Sequence, residues 1–577
     1  VSNSPNSNPG NLTLDVLDRL DEHRDDVALA RKVGDAWVDV TLGQFHDEVL
    51  AVARGLVASG VQGGDRVAVL SKTRYEWTVV DYAIWWIGGV TVPIYETSAV
   101  AQIEWILSDS GAVAAVAETA THRERITEAR SSCPELRDVW TIEEDGIPQL
   151  VAAGAEVTDD AVEALRSQVT ADSLATLIYT SGTTGRPKGC MLTHGNFRSE
   201  LEGAIEQLPD LFGREGASTL LFLPLAHVFA RIIQVGAIRS GAKLGHTADV
   251  KDLVEHLGEF QPTFVLAVPR VFEKVFNTAS TRAYADGKGK IFDQAVATAI
   301  AYSRALDDGR PGVALRLRHA LFDRLVYGKL RGALGGRAEW AISGGAPLGD
   351  RLAHFYRGIG VTVLEGYGLT ETTAALCVNT PSEVRIGTVG RPFPGTEVRV
   401  GSDGELSFRG PQVLKGYWKN DEATAAAIDS DGWFATGDIG EVDSDGFVRI
   451  TGRKKEILVT AGGKNVAPAA LEDRMRAHPY ISQALVVGDG KPFVAALVTI
   501  DPEGWTGDLD DPKLTEAVQA AVDDANSQVS QAESIRKFVI LPEDWTEENG
   551  YLTPSFKVKR NAIMRDFHDV VEGLYVR

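Results

Sequence analysis

Cysteine is scarce: Cys133, Cys190 and Cys377 are the only three in 577 residues. They lie far apart, show no paired metal-ligand spacing and leave at least one thiol unpaired in any scheme, which argues against a disulfide scaffold or a zinc module. A reducing cytoplasm is the simplest compartment. Long apolar runs are missing too. The most membrane-like stretch, 79–95, is interrupted by Asp81 and by Gly88-Gly89 and falls short of a full span. Positive charge is in deficit, with 58 Lys and Arg against 80 Asp and Glu and a formal net charge of −22. Such a surface disfavours broad contact with nucleic acid or anionic lipid, while leaving room for a local basic patch around an anionic substrate. Residues 1–12 have neither an apolar core nor a basic start and read as a flexible tail rather than a signal peptide.

What is present is an ordinary globular composition, 44% hydrophobic and 24% charged, over a length that calls for a large body and at least one further domain. From Trp37 onward, amphipathic helical stretches alternate with short apolar strands: DRVAVL at 65–70, GAVAAV at 111–116, LLFLPL at 220–225, TFVLAV at 263–268, WAIS at 340–343 and VTVL at 361–364. That rhythm predicts α/β units on mostly parallel sheets, with ligands bound beyond the carboxyl ends of the strands. After Gly387 the segments shorten and Gly and Asp intervene, as in antiparallel hairpins, with a strong turn at Asp445-Gly446. A compact α+β unit closes the chain. The expected division is a body over 13–452, with a β-rich subdomain at about 387–451, and a small domain over 453–577.

The densest chemical signal is Tyr179-Thr-Ser-Gly-Thr-Thr-Gly-Arg-Pro-Lys-Gly189, between the apolar strand LATLI and a helix start near Thr193 or Asn196. Glycines free the backbone N–H groups to face a phosphate, the hydroxyls of Thr180, Ser181, Thr183 and Thr184 add donors, and Lys188 adds charge. The pattern is not the Gly-x4-Gly-Lys-Ser/Thr phosphate loop. Further motifs follow in order: Leu223-Pro-Leu-Ala-His227, Gly344-Gly-Ala-Pro347, Tyr367-Gly-Leu-Thr-Glu371, Gly432-Trp-Phe-Ala-Thr-Gly-Asp438, Gly452-Arg-Lys-Lys-Glu456 and Leu552-Thr-Pro-Ser-Phe-Lys557.

This ordered set resembles the adenylate-forming superfamily of acyl-CoA synthetases, aryl-CoA ligases, luciferases and peptide-synthetase adenylation domains, and within it the bacterial long-chain fatty acid–CoA ligases. The resemblance implies a large α/β body with distorted parallel sheets, a small β-rich subdomain and a mobile α+β C-terminal domain. It implies ATP and Mg²⁺, coenzyme A as cosubstrate, and a long-chain fatty acid joined to it through an acyl-adenylate. Residue by residue, it implies that the Thr180–Lys188 loop, with Gly182 and Gly185, closes over the β- and γ-phosphates. Thr180 and Glu371 hold Mg²⁺. Gly345, Ala346 and Pro347 line one side of the adenine, Glu365 and Gly366 the other, and Tyr367 stacks on it. Thr370 approaches the α-phosphate, Asp438 and Arg453 meet the ribose, and His227 orders the carboxylate. Lys557 is the adenylation lysine, with Lys559 two residues away as its rival. Lys455 is the hinge, and Gly462, Gly463 and Lys464 belong to the coenzyme A channel of a second domain arrangement.

Two features favour a long acyl chain: the segment Val268-Pro-Arg-Val-Phe-Glu-Lys-Val275 and a helical insertion over about 280–332. The insertion reads equally as a structural outgrowth or a dimer surface, and Arg270 and Lys274 equally as solvent-facing. Arg231 falls near the place where some long-chain relatives carry a gating aromatic. Other readings stay open: a ligase that loads a carrier protein, one for another bulky acid, or an inactive nucleotide- or acyl-binding protein. Peripheral membrane contact and a homodimer stay open as well. Nucleic-acid binding is not expected, because no basic stripe accompanies the short Gly452–Lys455 run.

Overall fold

The computed structural model describes residues 10–180, 186–248, 252–553 and 557–576. Asn11 and Leu12, read above as tail, are packed: the Asn11 amide donates to Val169 O and the Leu12 N–H to His194 Nδ1. The reason is local, since Leu12 is an apolar anchor beneath the Leu14–His23 helix.

Three sheets form the body. The largest has seven strands in the order Gly416–Tyr417, Lys188–Thr193, Leu174–Thr180, Val90–Ile94, Arg66–Leu70, Ala114–Ala117 and Asp138–Thr141. Its last five strands run parallel and its first two antiparallel. The parallel strands carry continuous Val, Ile, Leu and Ala because helices cover both faces. A second sheet pairs Phe264–Ala267, Trp340–Ser343 and Thr362–Tyr367 in parallel and then adds Cys377–Val378 and Arg391–Pro392 antiparallel. A third joins the hairpin Val27–Val33/Ala36–Thr41 to Lys243–His246 and Ser218–Leu221. One apolar core runs through all three.

Glu397–Val400, Glu405–Arg409, Phe434–Val442 and Val448–Arg453 make a separate antiparallel sheet with its own small core. Beyond it, Ile481–Val487, Val494–Ile500 and Ile535–Ile540 form a three-stranded sheet, packed on one face by the Pro468–Arg476 and Pro512–Asn526 helices. Its other face holds Trp545, Leu552 and Ile563. This unit therefore owns two apolar clusters, made wholly of its own residues.

The insertion is helical, as its pattern predicts: Pro269–Ala285, Gly289–Asp307, Val313–Phe322 and Gly328–Gly332, the last two joined by a π-helical turn. Arg231 lies in the core. It is fully buried, donates to Asp81 Oδ1 at 2.5 Å and to Thr176 Oγ1 at 2.6 Å, and sits among the rings of Trp77, Trp85 and Phe197. Its opposite charge, Asp81, lies on the Tyr75–Trp86 helix, so the pair pins two core elements together. Removing either partner would strand a buried charge.

Candidate active site

A large cavity, about 1860 Å³, opens between the body and the C-terminal unit. That exceeds the few hundred to roughly 1,000 Å³ of an ordinary small-molecule site and suits two ligands meeting in one place. It has a polar limb and an apolar limb.

The polar limb is built from strand ends. Thr180 and Lys188 are register partners at the mouth of the hairpin that carries the hydroxyl-rich loop. Ser181, Gly182, Thr183, Thr184 and Gly185 lie outside the described residues. The hairpin's far end is fixed by Thr193, which caps the His194–Gln207 helix with a reciprocal bond to Asn196. The Lys188 ammonium stands 4.6 Å over the Tyr417 ring, and the Tyr417 hydroxyl donates to Glu371 Oε1 at 3.0 Å. Lys188, Tyr417, Glu371 and Thr180 thus gather on one wall.

On the opposite wall, Gly345 has φ +84°, and a Cβ there would lie 3.9 Å from the Lys557 side chain. Ala346 and Pro347 follow it, exposed but not on the cavity lining. Gly366, Tyr367 and Thr370 line the cavity, while Glu365 is turned toward the body and accepts the Leu348 N–H at 3.0 Å. Burial raises the Glu365 carboxyl to about 7. Asp438 is almost fully buried behind the lining. One of its oxygens accepts the Tyr367 hydroxyl at 2.6 Å and the other the Arg453 Nε–H at 3.1 Å. Asp438 and Arg453 are paired across neighbouring strands, and the Tyr367 ring leans on Phe408.

Lys557 comes from the C-terminal unit. Its backbone exchanges two hydrogen bonds with Thr553: Thr553 N–H donates to Lys557 O and Lys557 N–H to Thr553 Oγ1. Lys557 is exposed and lines the cavity, where the surrounding protein atoms partly desolvate its ammonium. That desolvation, with Arg453 nearby, lowers its pKa, while Asp438, Glu371 and Glu456 oppose the shift. Lys559 also lines the cavity. His227 is the N-cap of the Val228–Ser240 helix, and its Nδ1 accepts the Phe229 N–H at 3.2 Å. Burial, reinforced by Lys557, pushes its pKa down to about 3. The imidazole is therefore neutral, and with Nδ1 accepting, the proton resides on Nε2. Lys455 lies beside the cavity at the join between the units. Gly462, Gly463 and Lys464 do not join the site: they are exposed at the tip of the Leu458–Val459/Asn465–Val466 hairpin, where Lys464 pairs with Glu533 at 3.5 Å.

The apolar limb was not foreseen residue by residue. Leu201, Ala204 and Leu208 from one helix end, Phe212 beyond it, and Ile232 and Ile233 from another line it, all with little solvent contact. The i, i+3, i+7 spacing of Leu201, Ala204 and Leu208 is indistinguishable in sequence from ordinary core packing. Glu200 interrupts this lining. Burial pushes its carboxyl well above the usual range; Oε1 accepts the Ala375 N–H at 3.0 Å, and Oε2 has no partner among the described residues. Ala375 follows Thr373 and Ala374, two non-glycine residues at φ +55° and +93°. Glu200 thus tethers a strained turn, only a few residues past Glu371, to the apolar limb.

Among the described residues no group of three or more His, Cys, Asp or Glu forms a metal cage. The Glu371 carboxylate and the Thr180 hydroxyl, both on the cavity lining, are the donor types that suit a cation such as Mg²⁺, which takes one or two carboxylates and completes its shell with phosphate and water.

The AMP-binding enzyme family matches residues 17–418, and the AMP-binding enzyme C-terminal domain matches 455–577. The chain belongs to the AMP-binding enzyme family. Among curated members of the family, the chain is 51% identical to the long-chain-fatty-acid–CoA ligase FadD15 of Mycobacterium bovis, over 98% of this chain and 97% of that protein. It is 31% identical to the peroxisomal long chain acyl-CoA synthetase 7 of Arabidopsis thaliana, over 94% of this chain and 82% of the other. The fold is that of the AMP-binding enzymes. The anthranilate CoA ligase AuaEII in complex with anthranoyl-AMP superposes with a TM-score of 0.76 at 19% identity, covering 98% of each chain. The adenylation and carrier didomain of a carboxylic acid reductase from Segniliparus rugosus, in complex with AMP, gives 0.77 at 23% identity over 98% of this chain and 82% of that one.

Proposed function

We propose that the protein joins a long-chain fatty acid to coenzyme A at the expense of ATP, through an acyl-adenylate, releasing AMP and pyrophosphate. The observation that carries this reading is the position of Lys557: a cation delivered by the C-terminal unit to the junction of the polar and apolar limbs, beside Gly345 and His227. Near-full-length similarity to long-chain fatty acid ligases supports the choice of acid.

The chemistry demands such a junction. A carboxylate attacks a polyanion slowly in water, so both must be held in place and their charges offset. The acyl tail fills the apolar limb and the nucleotide the polar limb. His227 Nε2–H donates to one carboxylate oxygen, orienting the other toward the α-phosphorus. Lys557 bridges the carboxylate and the α-phosphate; Lys188 and the hydroxyl loop take the outer phosphates. Glu371 and Thr180 hold Mg²⁺, which when bound supplies charge neutralisation at the phosphates. Asp438, kept in place by Tyr367 and Arg453, accepts from the ribose, and the wall of Gly345 and Tyr367 takes the adenine. In the second half-reaction the coenzyme A thiol attacks the acyl carbonyl and AMP departs. No enzyme nucleophile is needed, and the three buried thiols take no part. Gly462, Gly463 and Lys464 enter the site only after the C-terminal unit turns about Lys455.

Mass spectrometry of products from palmitate, ATP, Mg²⁺ and coenzyme A, with single omissions, tests the reading. Palmitoyl-CoA with AMP and pyrophosphate is expected. Palmitoyl-AMP without thioester would replace coenzyme A with another acceptor, and neither product with any acid of a wider panel would overturn the assignment.

A further inference from the structure

The helical insertion carries a surface that the ligase chemistry does not use. Val313, Leu317, Leu321 and Leu325 succeed one another at intervals of four residues, and they are 70%, 69%, 57% and 53% exposed. Residues four apart share a helix face, so these form one apolar stripe. Folding does not require it. The inner face is already anchored by Phe322, Tyr327 and Leu330, by the Tyr327 hydroxyl on Ala295 O, and by His319, which stacks on Tyr302 and meets Gly358 O.

Charge on this stretch runs against the rest of the chain. Between 310 and 331 stand Arg310, Arg316, Arg318, Arg324, Lys329 and Arg331, with Asp323 the one acidic residue, in a protein of net charge −22. Arg331 pairs with Asp323, and Arg318 lies against Phe322. Arg310, Arg316, Arg324 and Lys329 are exposed and enter no ion pair among the described residues. An exposed aliphatic stripe flanked by free cations is the pattern of a helix that lies in the plane of a lipid interface. A second copy is a poorer occupant, because a symmetric pairing would bring these cations face to face.

We propose that the 313–325 face docks the protein on an anionic bilayer surface, with the aliphatic stripe entering the headgroup boundary and the arginines meeting lipid phosphates. Its use in collecting membrane-dissolved acid rests on the ligase reading; the docking does not.

The test is flotation of the full chain with phosphatidylcholine vesicles, with and without phosphatidylglycerol. Wild type should float with the anionic vesicles alone and be released by salt. Leu317→Asp/Leu321→Asp and, separately, Arg316→Glu/Arg324→Glu should each weaken binding by about tenfold or more. Both pairs are on the surface, and turnover of octanoate supplied in solution should stay at the wild-type level, which reports folding independently of docking. Absence of vesicle binding by wild type, or equal binding by the variants, would overturn the proposal. A dimer that wild type forms and Leu317→Asp/Leu321→Asp loses, without vesicle binding, would assign the stripe to a second copy instead.

Discussion

Two residues at the limb junction carry opposite electrostatic tasks, and each predicts a different experiment. In the proposed reaction Lys557 is charged when the two anions meet. Lys557→Ala should therefore slow acyl-adenylate formation by about 100-fold or more, the usual cost of removing one donor from a developing anionic centre. Thioester formation from supplied acyl-AMP should survive. Lys559→Ala, at the rival lysine, should retain most adenylation; the reverse ranking would exchange the two roles. His227 must be neutral. Its pKa of about 3 lies below the ordinary 6.5, so below pH 6.5 the unfolded chain takes a proton that the folded protein refuses. Its contribution to stability is present above pH 6.5 and is lost as the pH falls toward 3. His227→Asn keeps a good helix cap without that ionisation. Thermal unfolding at pH 7 and pH 5 should show a smaller acid loss for the variant than for wild type, and an identical loss would mean that His227 is not held neutral by burial.

At the scale of elements, the hairpin around the hydroxyl loop shows how one strand end serves another. Tyr417 sits on the edge strand beside Lys188–Thr193, and its ring and hydroxyl link Lys188 to Glu371. Tyr417→Phe keeps the ring under Lys188 and removes only the bond to Glu371. One hydrogen bond of about 1 kcal/mol corresponds to roughly a fivefold rise in the Mg²⁺ concentration needed for half-maximal adenylation. Titration of Mg²⁺ at saturating ATP checks it, and an unchanged midpoint would detach Tyr417 from cation binding. The strand ending at Thr180 was legible because LATLI is an uninterrupted apolar run, whereas the antiparallel strands that bear Lys188 and Tyr417 were not foreseen. Nor was the apolar limb, since Leu201, Ala204 and Leu208 obey the same spacing as any core helix face. The role of Arg231 stayed open for a related reason: sequence shows a charge next to the acyl motif, but not Asp81, 150 residues away, that pairs with it in the core.

At the scale of the whole molecule, residues of the C-terminal unit line the cavity together with those of the body, and in the proposed reaction the contacts that seat this unit control the first half-reaction. Sequence left Arg270 and Lys274 as either motif or surface residues. In the fold, Arg270 donates to Ser482 O at 3.1 Å and Oγ at 2.9 Å, and Lys274 pairs loosely with Glu503 at 3.5 Å. Arg351, lying over the Phe276 ring, donates to Ala477 O at 2.9 Å. Both arginines belong to the body and both acceptors to the C-terminal unit. Neutral acceptors suit a joint that must open, because breaking such bonds releases groups that water can satisfy, without stranding a buried carboxylate. Arg270→Ala/Arg351→Ala should then shift the population away from the seated arrangement without touching any group that meets substrate. With two charge-assisted bonding sites lost, single-turnover adenylation should fall by about tenfold or more. Thioester formation from supplied acyl-AMP, which calls for the other arrangement, should be unchanged or faster. An equal loss in both half-reactions would show that the two arginines stabilise the fold at large, and that the seating of Lys557 is governed elsewhere.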